Sequence, residues 1–253
     1  MTLTKRAAWG SLALIVAVAA IYLGAPLRAR FDANRACCRI PFARNVVVTI
    51  NERLGRATYA SEIGQDKWVL ETMFPDVTDG YFVDVGSGHG TYFSNTVALE
   101  RKGWSGICID PFPTHMESRS CRVFKEVVWS APGRVMTFQM ADGLAGLSDT
   151  LGRWREQALQ APSVELTTVT LDDILTRAQA PHFIHFMSLD IEGAELDALR
   201  AFPFDRIRLG SLAIEHNDEE PKRTQIVELL ARHGYRRVHS FRQDDFFAPE
   251  PSS

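Results

Sequence analysis

Polar and apolar positions fall into two regimes along this chain. Residues 7–27, "AAWGSLALIVAVAAIYLGAPL", carry no charge and are apolar on every face. A run of about 20 such residues is what a helix needs to cross ~30 Å of hydrocarbon. Trp9 and Tyr22 lie toward its two ends, where aromatic rings favour the interface. This pattern predicts a membrane anchor over 1–27. A cleaved signal peptide is the competing reading, although the run exceeds the usual apolar length of about 7–15 residues. Residues 28–60, with Pro26 just before them and Pro41, scattered arginines and one β-type run "NVVVTI", read as a linker.

From residue 61 to the end the pattern alternates. "YFVDV" is a short apolar run, and "TYFSNTVALERKG" follows with helical spacing and a terminal glycine. "WSGICID", "RVFKEVVWS" and "RVMTFQMA" read as strands, and "SDTLGRWREQALQ" as a helix opening at Ser148. "VELTTVT" and "LDDILTRAQ" give strand and helix, as do "HFIHFMSLDI" with "EGAELDALRAF", and "LGSLAIEH" with "EPKRTQIVELLARHG". "YRRVHSF" and "DDFFA" close the chain as two strands with no helix between them, which predicts an antiparallel edge pair. Strand alternating with helix predicts an open, mostly parallel α/β sheet covered on both faces.

Composition changes this picture little. The 253 residues, 45% hydrophobic and 23% charged, suit one sizeable domain, and a net charge of −3 offers no global field for nucleic acid. Excess Arg after the apolar run (Arg28, Arg30, Arg35, Arg39, Arg44) over Lys5 and Arg6 before it places the body on the cytoplasmic side. The four cysteines, Cys37, Cys38, Cys108 and Cys121, show no C-x-x-C or zinc spacing and read as free thiols in a reducing compartment. Cys37 and Cys38 also lie where palmitoylation can occur.

The chemistry centres on "GYFVDVGSGHG", residues 80–90. Gly86, Gly88 and Gly90 sit between the first strand and the first helix, where open α/β sheets bind ligands. The G-x-G-x-G spacing is not the dinucleotide G-x-G-x-x-G, which disfavours a dehydrogenase. Asp110 lies about 20 residues on, at the tip of the next strand, where a carboxylate can accept from both hydroxyls of a ribose.

"GYFVDVGSGHGTYFSNT", "ALERKGWSGICIDPFP", "VTLDDIL" and "FMSLDIEGAELDAL" together resemble the FkbM family of S-adenosylmethionine-dependent methyltransferases, over residues 61–248. The resemblance implies a class I methyltransferase fold of seven strands, the last antiparallel. It implies that the amino-acid end of S-adenosylmethionine lies over Gly86, Ser87, Gly88 and Gly90, with Asp84 orienting that loop and Asp110 holding the ribose. Glu126 is the candidate for the adenine amino group, with Val127 offering backbone contacts. The family often has a lysine where this chain has Ser188, so a role for that lysine does not carry over.

Methyl transfer to a hydroxyl needs proton removal. Asp190, Glu192 and Glu195 follow one strand, and Glu215, His216 and Asn217 end the next. Asp190 and His216 are the candidate catalytic residues, His216 as base because its reference pKa is near neutral. Asp190, Glu215 and Asn217 could instead hold Mg²⁺, or the acids could cap the helix that follows; no metal is required by the first reading. Two functions remain open. One is methylation of a sugar, glycan or lipid-linked small molecule at the membrane; the other is a membrane-anchored binding or trafficking protein that keeps the fold.

Overall fold

The structure, a computed structural model, describes residues 59–251. The described residues fall within one compact unit, Tyr59–Ser253. The apolar run 7–27, Cys37 and Cys38 lie outside the described residues. Among the described residues no helix is long and apolar enough to cross a membrane.

Seven strands form the main sheet: β1 (Tyr81–Val85), β2 (Ser105–Ile109), β3 (Arg122–Phe124), β9 (Phe186–Leu189), β11 (Leu212–Glu215), β12 (Tyr235–Phe241) and β13 (Asp244–Pro249). Their order is β12-β13-β11-β9-β1-β2-β3. The β3, β2, β1, β9 and β11 strands are parallel, and β13 runs antiparallel to both β11 and β12. The expected terminal pair therefore forms, but its reversed member β13 is inserted beside β11 and leaves β12 at the edge. From β1 the chain moves outward to β2 and β3, then returns to the other side as β9. The reversal opens a crevice at the carboxyl ends of β1 and β9.

Strand alternation distributes the core. Val83 and Val85 of β1, Met187 and Leu189 of β9, and Leu212 and Ile214 of β11 face one side. There they meet α4 (Leu171–Ala178), α5 (Glu195–Arg200) and α6 (Lys222–Arg232). Phe82, Phe186 and Ala213 face the other side and meet Leu99 of α2 (Val97–Arg101), Val69 and Trp104. Val69 belongs to a π-helical turn that continues α1 (Gln65–Trp68). Helix α4 starts where the sequence "TLDD" supplies a capping box: the Thr170 hydroxyl accepts from Asp173 N while Asp173 accepts from Thr170 N.

Residues 127–169 depart from a single sheet. β4 (Val127–Val128), β5 (Val135–Gln139), β6 (Gly146–Leu147) and β7 (Ser163–Val169) form a separate four-stranded sheet. "RVFKEVVWS" accordingly splits at Lys125 and Glu126, with β3 joining the main sheet and β4 the second. "HFIHFMSLDI" splits likewise: β8 (Phe183–Ile184) pairs with β10 (Arg208–Leu209), and His185 N turns to Tyr81 O at 2.9 Å. Two expected helices are shorter than their periodicity implies. Helix α2 starts only at Val97, because the Ser94 hydroxyl accepts from Thr96 N and Val97 N after a left-handed Phe93. The helix expected from Ser148 shrinks to α3 (Arg155–Ala158), since Ser148 N is bonded to Thr137 O beside β5.

Candidate active site

A cavity of about 780 Å³ occupies the crevice at the strand ends. The glycine loop forms one wall. Gly86 takes φ 85°, and a Cβ there would lie 1.6 Å from the Asp190 carbonyl oxygen. No other residue lets β1 and β9 close up at this point. Gly88 N donates to Asp110 Oδ2 at 2.9 Å, and Phe112 N to Oδ1 at 2.7 Å. Thr114 N donates to Gly88 O and Gly90 N to Thr114 O, so the loop after β2 is laced to the glycine loop. Gly86, Ser87, Gly88 and Asp110 line the cavity. The Ser87 hydroxyl is buried and has no hydrogen-bond partner. Gly90 does not line the cavity; a Cβ there would meet His115 O at 2.3 Å, so it serves the packing of the two loops.

Behind this wall lies a buried polar network. Asp84 points away from the cavity, as alternation along β1 requires when Val85 lines it. It accepts from the Thr96 hydroxyl, and burial holds its pKa up. The Arg119 side chain is fully buried; it donates to Glu100 Oε2 at 3.0 Å, Gly90 O at 2.9 Å and Thr96 Oγ1 at 2.7 Å. Asp84 is thus linked to the glycine loop through Thr96 and Arg119, which reaches Gly90 O. Nothing in the sequence "ESRSCR" marks Arg119 as more than a solvated cation.

Cys108 of β2 and Cys121, just before β3, form a disulfide. The expectation of free thiols is corrected for this pair. A separation of 13 residues signals nothing in the sequence; parallel pairing of β2 with β3 brings the two together.

Glu126 and Val127 line the far end of the cavity. The Glu126 carboxylate is gripped by both Arg177 terminal nitrogens, one at 2.9 Å.

The floor is acidic. Asp190, Glu192 and Glu215 each present a carboxylate oxygen within 4.8 Å of the others. Asn217 Nδ2 donates to Glu215 at 2.8 Å and reaches Glu192 at 3.4 Å. Asp244 joins from β13, accepting from Gln65 Nε2 at 2.8 Å. Burial comes first among the causes that push Asp190, Glu192 and Asp244 up to about 7, and neighbouring carboxylates add to it. Glu215 is raised further by the same causes and is hydrogen-bonded to Asp190. Such a pair shares a proton. Helix capping does not account for these acids: no side chain caps α5, and Glu195 accepts from Ile191 N and Gly193 N of the preceding turn at 3.0 Å.

The geometry brings Asp190 into the cavity but not His216. Successive residues at a strand end face opposite ways, and Glu215 takes the inward position. His216 is buried instead against Asp245, with Nε2 3.6 Å from Oδ1, and its Nδ1 accepts from Asp218 N at 3.0 Å. Gln65, Asn95 and Asp244 also line the site without a role in the sequence reading. Asn95 donates to Ser188 Oγ at 2.8 Å.

A mostly parallel sheet with this strand order and a glycine loop after β1 is a methyltransferase-like α/β fold. Residues 84–237 match the methyltransferase FkbM domain, and the chain belongs to that family. Among solved structures, the chain is similar to PH1948 from Pyrococcus horikoshii, described provisionally as an RNA methyltransferase. That likeness has a TM-score of 0.38 and 12% identity, over 75% of this chain and 83% of that one, and says nothing of substrate. No curated protein matches the chain.

Proposed function

We propose that the chain is an S-adenosylmethionine-dependent methyltransferase that methylates a hydroxyl of a sugar, glycan or lipid-linked small molecule, held at the membrane by residues 7–27. One observation carries the reading: the Gly88–Asp110 hydrogen bond joins glycine loop and ribose acid at one end of a cavity whose other wall is a carboxylate pair. Each Asp110 oxygen accepts one backbone N–H and keeps a lone pair for a ribose hydroxyl. The unpartnered Ser87 hydroxyl fits a polar group of the donor's amino-acid end. Glu126, already held by Arg177, has only residual lone pairs for an adenine amino group, with the Val127 backbone beside it.

The donor supplies an electrophilic methyl on a sulfonium. The protein must align the acceptor oxygen and remove its proton. Asp190, half-buried on the cavity floor with the Glu215 carboxylate within 4.8 Å, is assigned as the base. Asp190 would take the acceptor hydroxyl's proton as that oxygen receives the methyl group. Mg²⁺ is not assigned a part. The test is release of S-adenosylhomocysteine in the presence of glycan acceptors, which Asp190→Asn should abolish. Full activity of that variant would remove the floor from the mechanism.

The side of the membrane has two readings. Flanking arginines favour the cytoplasm. The Cys108–Cys121 disulfide favours a body in an oxidising compartment. Protease protection in sealed vesicles separates them.

A further inference from the structure

Carboxylic residues crowd the cavity, and among the described residues neither Lys nor Arg lines it. Asp110 and Glu126 are committed to backbone N–H groups and to Arg177. The floor group of Asp190, Glu192, Glu215 and Asp244 has no such cation in contact with it. What faces these four is mostly more acid. Asp84 approaches from β1, Glu195 from α5, Glu219 from the turn before α6, and Glu62 from the segment before α1. Gln65 and Asn217 donate hydrogen bonds, His216 lies outside the cavity with only a long-range influence on Asp244, and Lys222 is taken up by Glu219 and Gly193 O. A separate observation marks the cavity as a ligand site: the buried Ser87 hydroxyl, at its glycine-loop wall, has no partner in the protein.

We propose that this cavity selects by charge: it holds the methyl donor as a cation, releases the neutral product, and repels any acceptor with an anionic group at the end that reaches the floor. The inference rests on S-adenosylmethionine as donor. S-Adenosylmethionine carries a sulfonium and a net positive charge near neutrality; S-adenosylhomocysteine is a thioether with none. The two differ by one methyl group and one charge. In a pocket of low polarisability that charge interacts with ionised carboxylates far more strongly than in water. Transfer of the methyl removes the attraction, so turnover itself loosens the product. The same field opposes phosphate, carboxylate and sulfate on the acceptor. Within the acceptor class proposed above, this favours a neutral polyol or an amine-bearing sugar at the reacting end, with any phosphate linkage kept outside the cavity.

The test is calorimetric titration of the full-length chain in detergent with S-adenosylmethionine and, separately, S-adenosylhomocysteine, at about pH 6 and about pH 8.5. Carboxyls that titrate near 7 are largely ionised only at the higher pH. The expected result at the higher pH is at least about tenfold tighter binding of the donor, which is ~1.4 kcal/mol. The preference should shrink at the lower pH, through the donor's affinity and not the product's. Glu192→Gln and, independently, Asp244→Asn should each weaken the donor and leave the product unchanged. Inorganic phosphate should not bind the S-adenosylhomocysteine complex. Equal or tighter product binding at both pH values overturns the proposal, as does a preference that both variants keep, or saturable phosphate binding. If neither nucleoside binds while the chain is folded by circular dichroism, the donor assignment itself fails and takes this inference with it.

Discussion

At the end of β11 two neighbouring residues part company: Glu215 enters the cavity and His216 leaves it. Histidine is the natural base by pKa alone, but a base must reach the proton it takes. The account therefore predicts opposite outcomes for the two positions. Glu215→Gln, or Asp190→Asn, should lower kcat by about 10²–10⁴-fold at saturating donor, the range for a positioned base. His216→Ala should leave kcat within a few-fold. It should instead cost about 1–3 kcal/mol of stability, because Asp218 N loses its acceptor, while Asp245 keeps Arg223, Arg237 and Ser240. Steady-state rates and denaturant melts on the same preparations check both. The sequence shows which acids stand at strand ends, because short apolar runs mark where strands stop. It does not show which way each faces, since a one-residue uncertainty in a strand's end reverses the answer. Gln65 and Asp244 are bonded across 179 residues and are invisible to any local pattern.

The elements that matter most are the two loops that shape the glycine-loop wall of the cavity. The glycine loop is legible because glycines alternate where a strand gives way to a helix. Its partner, the loop between β2 and β3, shows only Asp110 at its start. The rest is held by contacts made in three dimensions: Thr114 to the glycine loop, Arg119 to Glu100, and Cys121 to Cys108. Cys121→Ser should therefore cost about 2–4 kcal/mol, the usual scale for a native disulfide. It should also weaken donor binding, since the loop it closes carries Asp110. Melting and calorimetry of the variant beside the oxidised parent check this; unchanged donor affinity would mean that Arg119 and the loop's own hydrogen bonds suffice. Helix extents were the least legible feature, because Ser94 and Ser148 spend their hydrogen bonds on caps and strand edges rather than on a longer helix.

For the molecule as a whole, a parallel sheet that reverses direction beside β1 brings acids from β9, β11 and β13 to one floor. Their stability has a definite sign. Carboxyls whose pKa is raised in the folded state bind more protons there than in the unfolded chain. They stabilise below the ordinary carboxylate range, and that contribution is lost as pH rises toward about 7 for Asp190, Glu192 and Asp244. The ligand-free protein should thus lose stability between about pH 4 and pH 7, by up to ~1.4 kcal/mol per pH unit for each proton concerned. In Asp244→Asn the loss should be shallower. Thermal melts across that range in wild type and variant decide it; parallel curves would contradict a raised Asp244.

The fold class and the order of motifs were legible from residue 61 onward because strand and helix periods alternate cleanly there. The second sheet was not, since β4 to β7 are apolar runs that could equally have extended the first. The proposed anchor, residues 7–27, lies outside the described residues. Removing residues 1–27 should leave a soluble, folded body, since the segment has no polar face to pack against it.

The central claim is that the wall of Gly88 and Asp110 binds S-adenosylmethionine. Calorimetric titration of wild type and Asp110→Ala with this ligand, and of wild type with NAD, tests it most directly. The account predicts saturable binding of S-adenosylmethionine, weakened by about 1.5–3 kcal/mol in the variant, the scale of hydrogen bonds to a charged group, and no binding of NAD. Tight binding of NAD with no response to S-adenosylmethionine would contradict it.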